Sequence, residues 1–223
     1  MLTLYYHPLA SFCHKVLIAL YEADIAFKGR IIDLGKAEER EELDALWPVG
    51  KFPVICDEVR GRVVPESTII IEYLCQHFPS AAGLLGEDKD TTLDVRLWER
   101  VFDNYVHVHM QKIVADRLRA EDERDPRGVA DARGVLQVAY AMLDKQLALG
   151  TWAVGDSFTM ADCAAAPSLF YAHILEPFPA SCPNLSSYFE RLIARPSVAR
   201  VLQEAKPWFP YFPFKELMPQ RFL

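Results

Sequence analysis

The chain has 223 residues, 51% hydrophobic and 25% charged, a globular composition long enough to bury a sizeable apolar core. A formal net charge of -7 without any basic block argues against an electrostatic grip on nucleic acid or anionic lipid. The opening Met1–Phe12 lacks the basic start and apolar run of a secretory signal, and no charge-free stretch approaches the ~18–20 residues that span a bilayer, so a cytoplasmic protein is expected.

The first eighty residues alternate short β-rich and helical patterns, as an α/β unit does. Leu2–Tyr6 reads as a strand. Phe12, Val16, Ala19, Leu20 and Ala23 stand at helical spacing, which predicts a helix over Phe12–Ala23 with Ser11 as its N-cap. Phe27–Asp33 fits a second strand and the charged run Lys36–Leu46 an exposed helix. Phe52–Cys56 and Arg62–Val64, joined by the turn Asp57–Gly61, read as an antiparallel hairpin that Pro65 ends. Glu66–Phe78 closes the unit as a helix. The order β-α-β, helix, β-β-α is that of thioredoxin-like folds, and residues 1–79 are assigned to such a domain.

Residues 80–90 turn small, acidic and glycine-containing, as a linker does, and residues 91–223 are expected to be all helical. A wide apolar stripe that includes Leu97, Val101, Phe102 and Tyr105 predicts one long helix over Leu93–Leu118. Val129–Leu149 repeats the pattern. Thr159-Met160-Ala161-Asp162 resembles a capping box with Asp in place of Glu, opening a nearly all-buried helix over Met160–Ile174. Leu185–Ala194 and Ser197–Ala205 read as short helices ahead of an aromatic, proline-rich tail. The five cysteines include no C-x-x-C pair and suggest neither a disulfide framework nor a zinc site. His107 and His109 cannot face one way on a helix, which disfavours a shared metal.

Four segments carry a sharper signal when taken together: Tyr5-Tyr6-His7-Pro8 leading into Ser11-Phe12-Cys13-His14-Lys15-Val16; Gly50-Lys51-Phe52-Pro53-Val54; Pro65-Glu66-Ser67; and Gly155 to Asp162. In order and spacing they make the chain similar to the soluble glutathione transferase superfamily over essentially its whole length. The resemblance implies a thioredoxin-like domain that binds glutathione and an all-α bundle that helps bind an apolar electrophile, in a homodimer. It implies that Pro53 follows a cis peptide bond and that Phe52 offers its backbone N–H and C=O to the cysteinyl part of glutathione; an edge-strand proline is the alternative. Ser67, at a helix start, is implied for the γ-glutamyl carboxylate, Glu66 for the γ-glutamyl ammonium and Lys51 for the glycyl carboxylate. Asp162 is implied to be structural.

A thiol of pKa about 8.5 is only slightly ionised at neutral pH, and lowering that value by two units asks for ~2.7 kcal/mol of preferential thiolate stabilisation. A hydroxyl donor near the positive end of a helix can supply it. Ser11 at the start of the first helix and Tyr6 at the end of the first strand are the candidates, with a backbone N–H as the third possibility. Ala10 stands where the common bacterial pattern places its serine. In the glutaredoxin C-P-Y-C register it replaces the nucleophilic cysteine while Cys13 takes the resolving position, so a dithiol mechanism is not expected. Asp103, Tyr105, His107, His109, Met110, Trp208 and Phe209 are candidates to line the second-substrate site. The expected reaction is transfer of an alkyl or aryl group to the glutathione sulfur; isomerisation, dehalogenation or peroxide reduction on the same fold is the alternative, and Ala10 keeps a non-catalytic binding protein open.

Overall fold

The alternation of Leu2 and Leu4 with Thr3 and Tyr5 turns the two leucines of β1 (Leu2–Tyr6) toward α1 (Ser11–Glu22) and Tyr5 toward α2 (Ala37–Leu46). In the computed structural model, which describes residues 1–223, α1 leads to β2 (Phe27–Ile31), parallel to β1 with Tyr6 opposite Ile31. β3 (Val54–Asp57) pairs antiparallel with β1, Tyr5 opposite Val54, and β4 (Arg62–Pro65) pairs antiparallel with β3. The sheet order is β2-β1-β3-β4. α3 (Ser67–His77) packs beside α1 on one face, and Leu43 of α2 meets Ile32 and Val54 on the other. This is the mixed thioredoxin-like sheet expected.

Ser11 is the first helical residue of α1 and not its cap. Ala10 (φ -79, ψ 116) holds the cap position, and its carbonyl accepts the N–H groups of Cys13 and His14 at 2.9 and 3.0 Å. The Ser11 hydroxyl is therefore not spent on capping. Pro65 is the last paired residue of β4, opposite Val54, rather than the residue beyond it.

A 3-10 turn, Pro79–Leu85, buries Ala81 and Leu84. Asp88 then caps α4 (Lys89–Val101), accepting the N–H groups of Asp90 and Thr91 at 2.9 Å each. The single long helix expected over 93–118 begins earlier and is interrupted. A π-helical segment, Phe102–His107, separates α4 from α5 (Val108–Arg117), burying Phe102, Asp103, Val106 and His107 while Tyr105 stays 52% exposed. α6 (Pro126–Gln146) also begins ahead of its apolar pattern, because Asp125 caps it through Gly128 N–H at 2.8 Å and Pro126 takes the first helical position.

α7 (Met160–Leu175) is rich in alanine, and every residue but His173 is buried. Its small side chains let α1, α4 and the π segment approach it closely. α8 (Pro183–Ala194) and α9 (Pro196–Ala205) each start on a proline, and the aromatic tail folds back with Phe209 and Phe212 buried. One continuous core runs from Leu4 through Leu17 and Leu20 of α1 to Leu169 and Phe170 of α7. The second half is the expected helical bundle. No helix is long and apolar enough to cross a membrane.

Candidate functional site

The entrance of α3 leaves backbone donors free. Glu66, before it, adopts φ 68 and ψ 118, a region costly to any residue with a Cβ. Ser67 is the first helical residue and is buried, and its hydroxyl makes no hydrogen bond within the protein. The first N–H that the helix satisfies is that of Ile70, to Glu66 O at 2.8 Å, so those of Ser67, Thr68 and Ile69 remain as donors at the positive end of the helix. Facing them is Phe52, whose bond to Pro53 is cis. Lys51 follows Gly50, which has φ 65 and lies so close to Asp44 that a Cβ there would fall 2.7 Å from the carboxylate. Lys51, Phe52, Pro53, Glu66 and Ser67 thus come together around one cleft of about 530 Å³ that Arg100, Asp103 and Asn104 complete.

A second cleft, of about 480 Å³, adjoins the first and shares Phe12, Lys51 and Phe52 with it. Its walls are mostly apolar, Leu9, Met110, Val114 and Leu118 among them, with Phe212 and Pro213 contributed by the tail. Ser11 lines this cleft, one residue from Phe12, which lines both. The Ser11 hydroxyl lies 3.4 Å from His107 Nε2, and the Phe12 and His107 rings have centroids 4.0 Å apart.

Tyr6 lines neither cleft. Its ring lies against β2, where a Cβ on Gly29 would come within 3.1 Å of the ring and 3.4 Å of the hydroxyl. Burial, then the nearby Glu204 and Cys13, pushes the Tyr6 hydroxyl above its ordinary pKa, opposite to what an activator of a thiol needs. Of the second-substrate candidates, His107 and Met110 line the apolar cleft and Asp103 the polar one. Tyr105 and His109 line neither; Trp208 packs edge-on against His7 at 4.8 Å, and Phe209 is core beside Phe170. Cys13 is buried, and desolvation drives its thiol far above the usual range. No group of three side chains suited to hold a metal ion occurs.

A charge network missed by the sequence reading lies directly behind the polar cleft. Lys15 of α1 is wholly buried, and its ammonium donates to Glu99, to Asp103 at 2.9 Å and to Thr68 Oγ1 at 3.1 Å. Arg100 adds bonds to Glu99 at 2.6 Å and to Asp103 at 2.5 Å. Burial works to raise the Glu99 carboxyl, but the Arg100 hydrogen bond and the Lys15 charge overcome it and hold the group at about 2. At Asp103 burial prevails, and the carboxyl sits above its ordinary value. The available signal was register: Lys15 stands on the apolar stripe of α1, between Phe12 and Ala19.

Comparison with known proteins agrees with both halves. Residues 4–82 match the family model described as "Glutathione S-transferase, N-terminal domain", and residues 103–196 match "Glutathione S-transferase, C-terminal domain". A glutathione S-transferase-like protein, LUC7, of Fusarium sp is 34% identical over 164 residues, covering 72% of this chain and 74% of its own. A glutathione S-transferase of Methylobacillus flagellatus, solved with GSH bound, superposes with a TM-score of 0.82 at 24% identity, over 90% of this chain and 98% of its own. Another, of Methylobacterium radiotolerans in complex with glutathione sulfonate, gives 0.77 at 28% identity, over 90% and 93%. With both halves matched in sequence and the architecture shared throughout, the chain belongs to the glutathione S-transferase superfamily.

Proposed function

We propose that this protein is a glutathione transferase that joins the thiolate of glutathione to an apolar electrophile. The observation that carries the reading is the meeting of a polar, charge-bearing cleft and an apolar one at Phe12, Lys51 and Phe52, with a serine hydroxyl beside the junction. In the polar cleft the γ-glutamyl carboxylate binds the Ser67 hydroxyl and the N–H groups of the α3 entrance. Glu66 takes the ammonium, Lys51 the glycyl carboxylate, and the Phe52 backbone the cysteinyl unit beside Pro53. The sulfur then lies near Ser11, whose O–H stabilises the thiolate as the thiol proton passes to solvent. The sulfur lone pair forms the new S–C bond, and the electrophile's leaving group departs with its bonding pair. The solved relatives carrying GSH and glutathione sulfonate support the choice of tripeptide.

Turnover of a chromogenic aryl halide, measured beside retention on immobilised glutathione, tests the reading. Ser11→Ala is expected to lower kcat/KM roughly tenfold to a hundredfold, the scale of losing one hydrogen bond to a charged group, while retention is unchanged. Retention without turnover in the unaltered protein would favour a binding protein, and no saturable heat with millimolar reduced glutathione would sink the assignment. We further propose a homodimer, since Val63 of β4, Ile69 of α3 and Leu93 and Leu97 of α4 are exposed apolar side chains that a second copy would cover. Sedimentation that finds only monomer overturns that part. The five free thiols fit work in the reducing cytoplasm.

A further inference from the structure

We propose that His107 is the positioning residue of Ser11: its imidazole donates Nε2–H to Ser11 Oγ, which leaves the hydroxyl's single hydrogen to point at the glutathione sulfur. The inference rests on the assignment of Ser11 as the donor to the thiolate and adds to it a residue that acts through Ser11.

The argument begins with hydrogen-bond arithmetic. A serine hydroxyl has one proton to give and two lone pairs with which to accept. The contact with His107 Nε2 is the one hydrogen bond that the Ser11 side chain makes in the protein, so its direction decides what the hydroxyl offers the cleft. If Ser11 donated to the imidazole, it would turn lone pairs toward a thiolate and repel it. If the imidazole donates to Ser11, the O–H is free for the sulfur, and the bond received polarises it further. At 3.4 Å the contact is long, a length from which catalytic hydrogen bonds commonly tighten once substrate is bound.

His107 is held in a way that suits this task. It closes the π-helical segment, is only 4% exposed, and has its ring fixed against Phe12, the neighbour of Ser11. Burial, then the charge of Lys15, lowers its proton affinity to about 4, so at neutral pH the ring carries one N–H and one lone pair. The charged and titratable groups around it agree with a neutral ring. Lys15 approaches from α1; Asp103, four residues earlier on its own helix, is engaged by Lys15 and Arg100. Tyr171 of α7 shares the cleft but spends its hydroxyl on Leu9 O at 2.9 Å, and His7 and Lys51 are the other titratable side chains of its lining. No carboxylate bonds to the imidazole to draw the N–H away.

The test measures the apparent pKa of the bound glutathione thiol, from thiolate ultraviolet absorbance, together with kcat and KM, in the full-length protein and its variants. His107→Ala is expected to raise the thiol pKa by about one unit and to lower kcat/KM roughly tenfold at neutral pH, with KM for glutathione unchanged. His107→Gln, which keeps an N–H within reach, should recover most of the loss, and the Ser11→Ala, His107→Ala double variant should be no worse than Ser11→Ala alone. His107→Phe keeps the ring volume without the donor and carries the test if the alanine variant does not fold. An unchanged thiol pKa in the alanine or phenylalanine variant, glutamine no better than alanine, or additive effects in the double variant would each overturn the proposal. Absence of glutathione binding by the unaltered protein strikes the functional reading instead, so the two failures are distinguishable.

Discussion

Lys15 is the residue on which the buried charges converge. An ammonium has three N–H donors, and here all three are used, on Glu99, Asp103 and Thr68, which is what makes a fully buried lysine tolerable. Replacing it with methionine keeps the stem but leaves two buried carboxylates with Arg100 as their remaining cation. Lys15→Met is therefore expected to cost ~3–5 kcal/mol of stability, read from urea or thermal unfolding, and a variant as stable as the parent would show that the network does not hold the fold. Because Thr68 and Asp103 also line the polar cleft, the same change should weaken glutathione binding. Ser67 gives the complementary case. Its hydroxyl has no internal partner, so Ser67→Ala should leave stability nearly unchanged while raising the dissociation constant for glutathione by roughly tenfold or more, the value of one hydrogen bond to a charged group.

Among the elements, α7 shows how a local sequence signal becomes the centre of a domain. Asp162 accepts from Thr159 N–H at 2.8 Å and Thr159 Oγ1 at 3.1 Å, and also from Ala153 N–H at 2.9 Å and Tyr188 O–H at 2.6 Å. A cap alone is worth ~1 kcal/mol; this one also satisfies buried donors on the preceding loop and on α8, so Asp162→Ala is expected to cost on the order of 3 kcal/mol, measured by chemical denaturation. A loss within that of an ordinary cap would confine the role to α7. The cap was legible because its pattern is local, Thr followed three residues later by an acid and then an apolar run. β1 was legible for the same reason, as was the Pro65-Glu66-Ser67 passage into α3. The π segment was not: nothing in Phe102-Asp103-Asn104-Tyr105-Val106-His107 distinguishes it from α-helix, and its inward set is defined by partners on α1 and α7 that are distant in the chain. The burial of Lys15 was not legible for a like reason, because its partners Glu99 and Asp103 stand more than eighty residues away. The five residues around the polar cleft could be named in advance through motif resemblance, whereas the Ser11–His107 contact depends on how the two halves dock.

Across the whole molecule, α1 is the shared wall: its Leu17 and Leu20 join the core that continues into α7, and its polar residues His14 and Lys15 are buried at the same boundary. Docking that buries titratable groups ties stability to pH. His14, wholly buried with Nε2 2.5 Å from Pro8 O, and His107 are both lowered from 6.5 to about 4, in each case chiefly by desolvation. Between those values the unfolded chain binds more protons than the folded one, so stability is fully present above 6.5 and is lost as the pH falls toward 4. Each unit of displacement is worth about 1.4 kcal/mol, which makes the joint effect on the order of several kcal/mol. Glu99, held at about 2 against an ordinary 4.5, extends the loss with the same sign further into acid, while Asp103, raised by burial, opposes it. The histidine window is thus the one to test. Denaturant midpoints followed from neutral pH down to about 4 should fall steadily in the unaltered protein, and less steeply in His14→Asn and His107→Gln, each of which removes one of the two buried rings. Parallel curves for all three proteins would show that neither imidazole is held neutral by the packing of the two halves.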